Sequence, residues 1–177
     1  RVWWLFKAVG FDNIAVLDGG FPAWEKARYP IEKKQTHNVE LGDFEAKYHP
    51  EKIIDSDAVL RSISNGEKQV VDARSVGRFN ATEPEPRKEI RSGHIPTSTN
   101  LPFASLLNTI ELKSKEELEA LFKKVNPSNK TLIFSCGSGI TACILALGAT
   151  IVGYKDISVY DGSWTEWGSL SHLPIEK

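Results

Sequence analysis

The chain has 177 residues, 22 basic and 23 acidic side chains and a formal net charge of −1, so its composition favours neither a nucleic-acid nor an acidic-membrane partner. No apolar run approaches the roughly 20 residues that a transmembrane helix needs. The two cysteines, Cys136 and Cys143, are too few for a disulfide framework or a zinc cluster and indicate a reducing compartment.

The first predicted elements are a helix, a strand and a tight turn. Apolar residues at positions 2–11 predict the helix, and residues 14–17 are a candidate strand. The turn is Asp18-Gly19-Gly20, and it leads into a second helix that carries Trp24. This order of elements is typical of the end of an α/β domain.

The pattern of residues 10–24 recurs, in one register and without a gap, in residues 153–167. Glycine, isoleucine, valine, aspartate and tryptophan coincide at matching positions, which indicates a tandem duplication of a domain. The predicted organisation is the end of a truncated first domain at 1–31, a polar inter-domain linker at 32–52, and a second, catalytic domain at 53–177.

Truncation would leave the apolar residues 2–17 without the sheet of their own domain. We expect this patch to be covered by a separate chain that holds the rest of the first domain, or by self-association. The start at Arg1 and the absence of methionine also lead us to expect an incomplete chain.

Short apolar strands alternate with helices in the second copy. The predicted elements are a helix at 56–64 closed by Asn65-Gly66, a strand at 69–73, a charged loop at 75–93, an extended piece at 100–103, a capping-box helix from Ser114, a strand at 131–135, a helix at 141–148 and a strand at 157–160. This alternation predicts an α/β fold with a parallel sheet covered on both faces. Functional groups in such folds lie outside the carboxyl ends of the strands.

Cys136 stands at such an end, before a glycine-bearing loop and a helix. Backbone N–H groups and a helix N-terminus favour the reactive thiolate, which suits phosphoester cleavage, arsenate or peroxide reduction, or sulfane-sulfur transfer. Cysteine phosphatases carry an arginine six residues after the cysteine, where Ala142 stands here. Reduction usually needs a resolving cysteine, and we assign Cys143 to the helix core. Sulfur transfer needs neither an arginine in the loop nor a second cysteine, and it is therefore favoured.

The loop resembles the active-site loop of the mercaptopyruvate sulfurtransferase branch of the rhodanese family. The matching segments, in order, are Val71-Asp72-Ala73-Arg74, Gly77-Arg78-Phe79, Pro84-Glu85-Pro86-Arg87, Gly93-His94-Ile95-Pro96, Cys136-Gly137-Ser138-Gly139-Ile140-Thr141-Ala142 and Asp161-Gly162-Ser163-Trp164. The resemblance implies two tandem domains, each with a five-stranded parallel sheet. It also implies a Cys136 persulfide formed from 3-mercaptopyruvate, with release of pyruvate and no cofactor or metal.

The resemblance also implies roles for individual residues. Arg78 and Arg87 match positions that bind the carboxylate and keto oxygens of the donor, although both also suit surface ion pairs in a charged loop. Ser138 either hydrogen-bonds the sulfur or relays a proton, or it is simply a small residue in a tight loop. The remaining predicted donor-binding residues belong to the loop itself: Gly137, Gly139, Ile140 and Thr141.

Alternatives remain at this point. A thiosulfate sulfurtransferase is disfavoured because Gly137 and Ser138 stand where the related thiosulfate enzymes have basic residues, and a non-catalytic binding module is disfavoured because Cys136 is intact. The expected partners are a small-molecule sulfur donor and a thiol acceptor such as thioredoxin or glutathione, or cyanide. Cytosol and mitochondrion both fit this chemistry. Asp72 and His94 are interpreted as structural residues.

Overall fold

The structure is a computed structural model that describes residues 1–33 and 40–177; part of the predicted linker, residues 34–39 with His37, lies outside the described residues. The helices are α1 Val2–Ala8, α2 Gly20–Lys26, α3 Ser56–Asn65, α4 Val76–Phe79, α5 Lys115–Val125, α6 Ala142–Ile151 and α7 Ser163–Trp167, with a 3₁₀ helix at Phe103–Leu106. The strands are β1 Ile53–Ile54, β2 Lys68–Asp72, β3 Thr99–Asn100, β4 Leu107–Asn108, β5 Glu111–Leu112, β6 Thr131–Ser135 and β7 Ile157–Tyr160.

Five of the strands form one parallel sheet in the order β1-β7-β6-β2-β3, while β4 and β5 form a small antiparallel hairpin. The predicted α/β fold with a five-stranded parallel sheet is therefore confirmed. Because Asp72 is paired with Ser135, β2 and β6 end side by side. The loops that follow them, including Cys136, begin at one edge of the sheet.

Helices cover both faces of this sheet, as predicted. On one face, Phe134 and Val71 pack with residues of α5 and α6, among them Phe122 and Leu145. On the other face, β-strand residues such as Ile133 pack with α3 and α7. Successive side chains of β2 and β6 face opposite sides of the sheet, because side-chain direction in a strand has a period of two residues.

The helix boundaries reflect local capping chemistry. Ser114 and Glu117 form the predicted capping box at the start of α5. Gly66 closes α3 with a φ of 67°, a left-handed conformation that favours glycine. Two sequence signals thus fix the ends of two helices that pack on opposite faces.

The prediction of a strand at residues 14–17 is wrong. These residues form no strand, and Val16 and Leu17 are exposed. A strand needs a neighbour to accept and donate its backbone hydrogen bonds, and no strand of the described residues pairs with this stretch. The predicted loop at 75–93 is also interrupted by the short helix α4, which Ser75 caps through its hydroxyl.

The predicted apolar patch at residues 2–17 is partly covered within the chain. α1 packs against α6, and Trp4 and Ala8 are buried. The indole of Trp4 donates to the Lys52 carbonyl at 3.1 Å. Val2, Leu5 and Phe6 stay exposed. Among the described helices, none has the length and apolar character to cross a membrane.

Candidate active site

Cys136 directly follows β6, the central strand, and is 1% exposed. The residues after it form a bent loop before α6 begins at Ala142. Gly139 has a φ of 71°, and a Cβ there would lie only 2.7 Å from the Asp161 carbonyl oxygen. Glycine is therefore required at this position by both conformation and space. The loop is shaped by its contacts with residues 161–165.

Ser163 is the residue that organises this loop, and the sequence reasoning did not assign it a role. Its Oγ accepts hydrogen bonds from the Cys136 and Gly139 N–H groups, both at 3.1 Å. The hydroxyl donates to the Tyr160 carbonyl at 2.8 Å and lies 4.0 Å from Cys136 Sγ. One hydroxyl proton thus has two acceptors within reach, and the sulfur becomes the stronger one when it is anionic.

The difference between the two repeats at Ser163 is the sequence signal that could have identified this residue. The residue has a φ of 50°, in the left-handed region that non-glycine residues rarely adopt. Gly20 stands at the equivalent position of the first repeat. A serine in place of a glycine at a left-handed position indicates that the side chain is needed there.

The rest of the loop presents backbone donors. Within the described part of the chain, no acceptor pairs with the N–H groups of Gly137, Ser138, Ile140 and Thr141. These groups stand at the start of α6, whose dipole adds partial positive charge. The arrangement suits an anion carried on the Cys136 sulfur.

Arg78 and Arg87 are both brought to this loop. A Cβ on Gly137 would lie 3.3 Å from Nη2 of Arg78, so the guanidinium lies beside the loop. Arg87 Nη1 lies 3.3 Å from Oγ1 of Thr165, and that hydroxyl donates to the Gly137 carbonyl at 2.6 Å. The two cations therefore approach Gly137 from different elements. Ser138 and Ile140 are exposed at the surface of the same loop.

Asp72 and His94 have structural contacts. The Asp72 carboxylate holds Nε and Nη2 of Arg74 at 2.9 and 2.7 Å, and both side chains are buried. His94 Nδ1 lies 2.9 Å from the Phe79 carbonyl, and its ring stacks on the Phe79 ring at 3.9 Å. These contacts join the loops of the site into one unit.

Cys143 is buried and donates its S–H to the Gly139 carbonyl at 3.2 Å. Burial raises the pKa of this thiol to about 11, so it stays protonated at neutral pH. It packs in the same apolar cluster as Phe134 and Leu145, as the sequence predicted for a core residue.

Arg1 reaches the loop from the other end of the chain. Its guanidinium donates to the Ser138 carbonyl at 3.1 Å and forms an ion pair with Asp161 at 2.6 Å. The N-terminal residue therefore contacts the Cys136 loop although it is distant from it in sequence.

Residues 55–170 match the family described as "Rhodanese-like domain". The chain is 46% identical over 170 residues to the Mus musculus protein named 3-mercaptopyruvate sulfurtransferase, covering 94% of this chain and 57% of that protein. It is 39% identical over 198 residues to the Arabidopsis thaliana protein named thiosulfate/3-mercaptopyruvate sulfurtransferase 1, mitochondrial, covering 99% of this chain and 52% of that protein.

A solved structure is similar as well. SseA from Escherichia coli, described as a 3-mercaptopyruvate sulfotransferase with the rhodanese fold, superposes with a TM-score of 0.79 at 33% identity. The match covers 93% of this chain and 61% of that one. The chain thus spans less than two thirds of the length of each of these relatives.

Proposed function

The chain belongs to the rhodanese family, and from that premise we propose that it transfers sulfane sulfur from 3-mercaptopyruvate to a thiol acceptor through a persulfide on Cys136. The observation that carries this proposal is the placement of Cys136 at the end of β6. It lies in a loop whose N–H groups at Gly137, Ser138, Ile140 and Thr141 have no acceptor among the described residues. Arg78 lies beside Gly137, and Arg87 reaches the same residue through Thr165. Each chemical step needs one of these groups.

The first step forms the persulfide. The Cys136 thiolate attacks the donor sulfur, the bond between that sulfur and C3 breaks, and its electron pair remains on carbon as the enolate of pyruvate. The proton of the donor thiol, or one from solvent, completes pyruvate. Loop N–H groups stabilise the anionic outer sulfur as an oxyanion hole stabilises oxygen. Ser138, two residues after Cys136 in the same loop, is the proposed proton relay.

The second step regenerates the thiolate. A thiolate of the acceptor attacks the outer sulfur, the sulfur–sulfur bond breaks, and its electron pair returns to Cys136. The acceptor leaves as a persulfide, or as thiocyanate where cyanide is the acceptor. Thioredoxin and glutathione are the proposed thiol acceptors. No part of this cycle needs a redox cofactor, because the sulfane sulfur is passed on intact.

Charge favours 3-mercaptopyruvate over thiosulfate as donor. The loop residues after Cys136 are Gly137 and Ser138, which carry no charge, and the two arginines suit one carboxylate and one keto oxygen. Thiosulfate is the second candidate, because the Arabidopsis relative is named for both donors.

A covering partner and a compartment are also proposed for the chain. Exposed Val2, Val16 and Leu17 favour a covering partner for residues 2–17, either the rest of a first domain or a second copy. One relative is named mitochondrial, and the proposed compartment is the mitochondrion or the cytosol.

The test is to treat the purified chain with 3-mercaptopyruvate or thiosulfate, and to follow pyruvate release and the mass of the peptide that contains Cys136. We expect a gain of one sulfur atom on Cys136 and matching pyruvate from 3-mercaptopyruvate, and little gain from thiosulfate. The Cys136→Ser variant is the control. Absence of any gain, also after the first domain is supplied as a separate chain, would overturn the proposal in favour of a binding module.

A further inference from the structure

Arg91 joins the two segments that flank the Cys136 loop. One segment is the charged loop that carries Arg87, and the other is α7, whose Thr165 donates to the Gly137 carbonyl. Every hydrogen bond of the Arg91 guanidinium goes to a backbone carbonyl at the end of α7 or just beyond it. Nε donates at 3.0 Å to Gly168, Nη2 donates at 3.1, 2.6 and 3.1 Å to Trp167, Leu170 and Leu173, and Nη1 donates at 3.1 Å to Leu173.

The backbone of Arg91 is bound to the same helix. Its N–H donates to the Gly168 carbonyl at 3.3 Å, and its carbonyl accepts from the Trp164 indole at 2.9 Å. The neighbouring Ile90 packs so closely that a Cβ on Gly168 would lie 2.6 Å from its Cγ2. Because these contacts do not involve the guanidinium, a substitution of the Arg91 side chain should leave the loop attached to α7 and the protein folded.

The shape of the Arg91 side chain suits these contacts more than its charge does. Arg91 belongs to none of the ion pairs among the described residues. The N–H donors of a guanidinium lie in one plane and point in fixed directions, so they reach carbonyls on several sides at once. A lysine would keep the charge but would present its donors from a single nitrogen.

Arg87 depends on this attachment, because it starts the turn that ends next to Arg91. The Ile90 N–H donates to the Arg87 carbonyl at 3.2 Å and closes the turn. Arg87 is exposed, and among the described residues its guanidinium bonds only Thr165, at 3.3 Å. The place of Arg87 beside the Cys136 loop is therefore set by the backbone of the turn, which Arg91 holds from the other end.

We propose, on the basis of the function above, that Arg91 is a positioning residue for the donor, because its guanidinium fixes the distance between Arg87 and the Cys136 loop. A carboxylate then meets a cation that is already in place, and no binding free energy is used to order the turn. Without this guanidinium the turn moves relative to α7, and the donor has to restore the arrangement. Arg91 acts through Arg87 and does not itself bind the donor.

The test measures KM and kcat for 3-mercaptopyruvate by pyruvate release. Arg91→Lys should raise KM about tenfold and change kcat by less than about twofold, because binding is weakened while the sulfur chemistry is intact. Lys88→Gln removes an exposed cation from the same turn and should keep both constants near their wild-type values. If only the Arg91 charge matters, KM will be unchanged in Arg91→Lys. If Arg91 matters only for stability, the denaturation midpoint will fall without a change in KM. Either result would overturn the proposal.

A double substitution shows whether Arg91 acts through Arg87. Arg87→Gln alone should raise KM, because it removes the cation that binds the donor. Adding Arg91→Lys to Arg87→Gln should raise KM by no more than about twofold, because the group that Arg91 positions is gone. A further tenfold rise in the double variant would show that Arg91 acts by another route.

A second substitution covers the case in which Arg91→Lys does not fold. Ile90→Ala removes the side chain that packs on Gly168 and loosens the same junction without changing a charge. It should raise KM about threefold with little change in kcat. An unchanged KM in Ile90→Ala would count against the proposal.

Alkylation of Cys136 separates this inference from the proposed function, because it needs no sulfur donor. The rate with anionic iodoacetate, divided by the rate with neutral iodoacetamide, reports the positive charge near the sulfur. This quotient should fall about threefold in Arg91→Lys, although the charge is kept, and should fall no further when Arg91→Lys is added to Arg87→Gln. If Cys136 gains no sulfur but the quotient falls, the proposed function is wrong and the positioning role stands. If Cys136 gains sulfur and neither KM nor the quotient changes, the positioning role is wrong.

Discussion

Two stretches of this chain carry the same sequence pattern and fold differently. In residues 153–167, β7 precedes the turn, pairs with β1 and β6, and is buried at every position. In residues 10–24, the equivalent positions 14–17 join no sheet, and Val16 and Leu17 are 48% and 55% exposed. The left-handed turn residue and the helix after it are present in both.

The difference shows which structural features depend on neighbouring residues and which depend on distant ones. A left-handed residue and a short helix depend on nearby positions, so they form in both stretches. A parallel strand depends on backbone groups supplied by distant segments. Such groups are present beside β7 and are lacking beside residues 14–17 within the described chain.

Contacts across the chain link the two turns. Asp18 accepts a hydrogen bond from the Leu112 N–H of β5 at 2.9 Å, and Asp161 forms its ion pair with Arg1. Each aspartate is thus bound by a group from the opposite part of the chain. Residues 1–31 are therefore docked on the rest of the described chain even without a strand of their own.

The largest change in the free energy of unfolding is expected when the tryptophans at equivalent positions of the two stretches are replaced. Trp24 and Trp167 each donate the indole N–H to a proline carbonyl, of Pro30 and Pro174, but Trp24 is 36% exposed and Trp167 is fully buried. Trp167→Ala should lower the free energy of unfolding by about 3–5 kcal/mol. Trp24→Ala should lower it by about 1 kcal/mol or less. Urea denaturation followed by circular dichroism measures both.

The two variants control for each other, because each loses the same kind of hydrogen bond. A large loss in Trp24→Ala that grows with protein concentration would show that residues 20–26 are covered by a second copy in solution. An equally large loss at every concentration would contradict the comparison, because it would make the two helices energetically alike.

Much of the fold was predictable because its signals are local or periodic. Ser114 and Glu117 define the start of α5 by themselves, and the apolar run at 131–135 predicts the central strand. The position of Cys136 at the end of that strand then locates the site, since parallel strands end at one edge.

The rest of the site depends on residues that are distant in sequence. Ser163 bonds the N–H of Cys136 from 27 positions away, and no pattern around the cysteine points to it. The sequence does not distinguish Glu85 from Glu83 and Glu89 of the same charged loop, because only the folded structure shows that the Glu85 side chain is buried. The prediction of a strand at residues 14–17 is wrong for a related reason, because a strand there would need pairing partners from distant segments of the sequence.

The second-largest change in the free energy of unfolding is expected at the equivalent turn residues Gly20 and Ser163. Ser163→Ala should lower the free energy of unfolding by about 2–3 kcal/mol, because the Cys136 and Gly139 N–H groups lose their buried acceptor. Ser163→Gly loses the same hydroxyl but relieves the left-handed backbone, so it should be less destabilised than Ser163→Ala by about 1 kcal/mol. Denaturation curves give both values.

The rate at which Cys136 gains sulfur shows whether the Ser163 hydroxyl or the left-handed Ser163 backbone affects the reaction. Both Ser163 variants should load more slowly and to a similar extent, because both lack the hydroxyl. The matched control is Gly20→Ala, which introduces strain of about 1 kcal/mol in the other stretch and should leave the loading rate unchanged. Normal loading in Ser163→Ala would show that the hydroxyl shapes the loop without affecting its chemistry.

The smallest effect is expected from the aspartates of the two turns. Asp161 and Arg1 have side chains that are 43% and 32% exposed, so Asp161→Asn should lower the free energy of unfolding by only about 0.5 kcal/mol. About 1 M sodium chloride should remove that difference, because salt screens exposed ion pairs. Asp18→Asn keeps an oxygen that can accept from Leu112, so any loss there should not depend on salt. A salt-dependent loss at Asp18 and a salt-independent loss at Asp161 would reverse the assignment, and would mean that the ion pair does not dock Arg1 on the Cys136 loop.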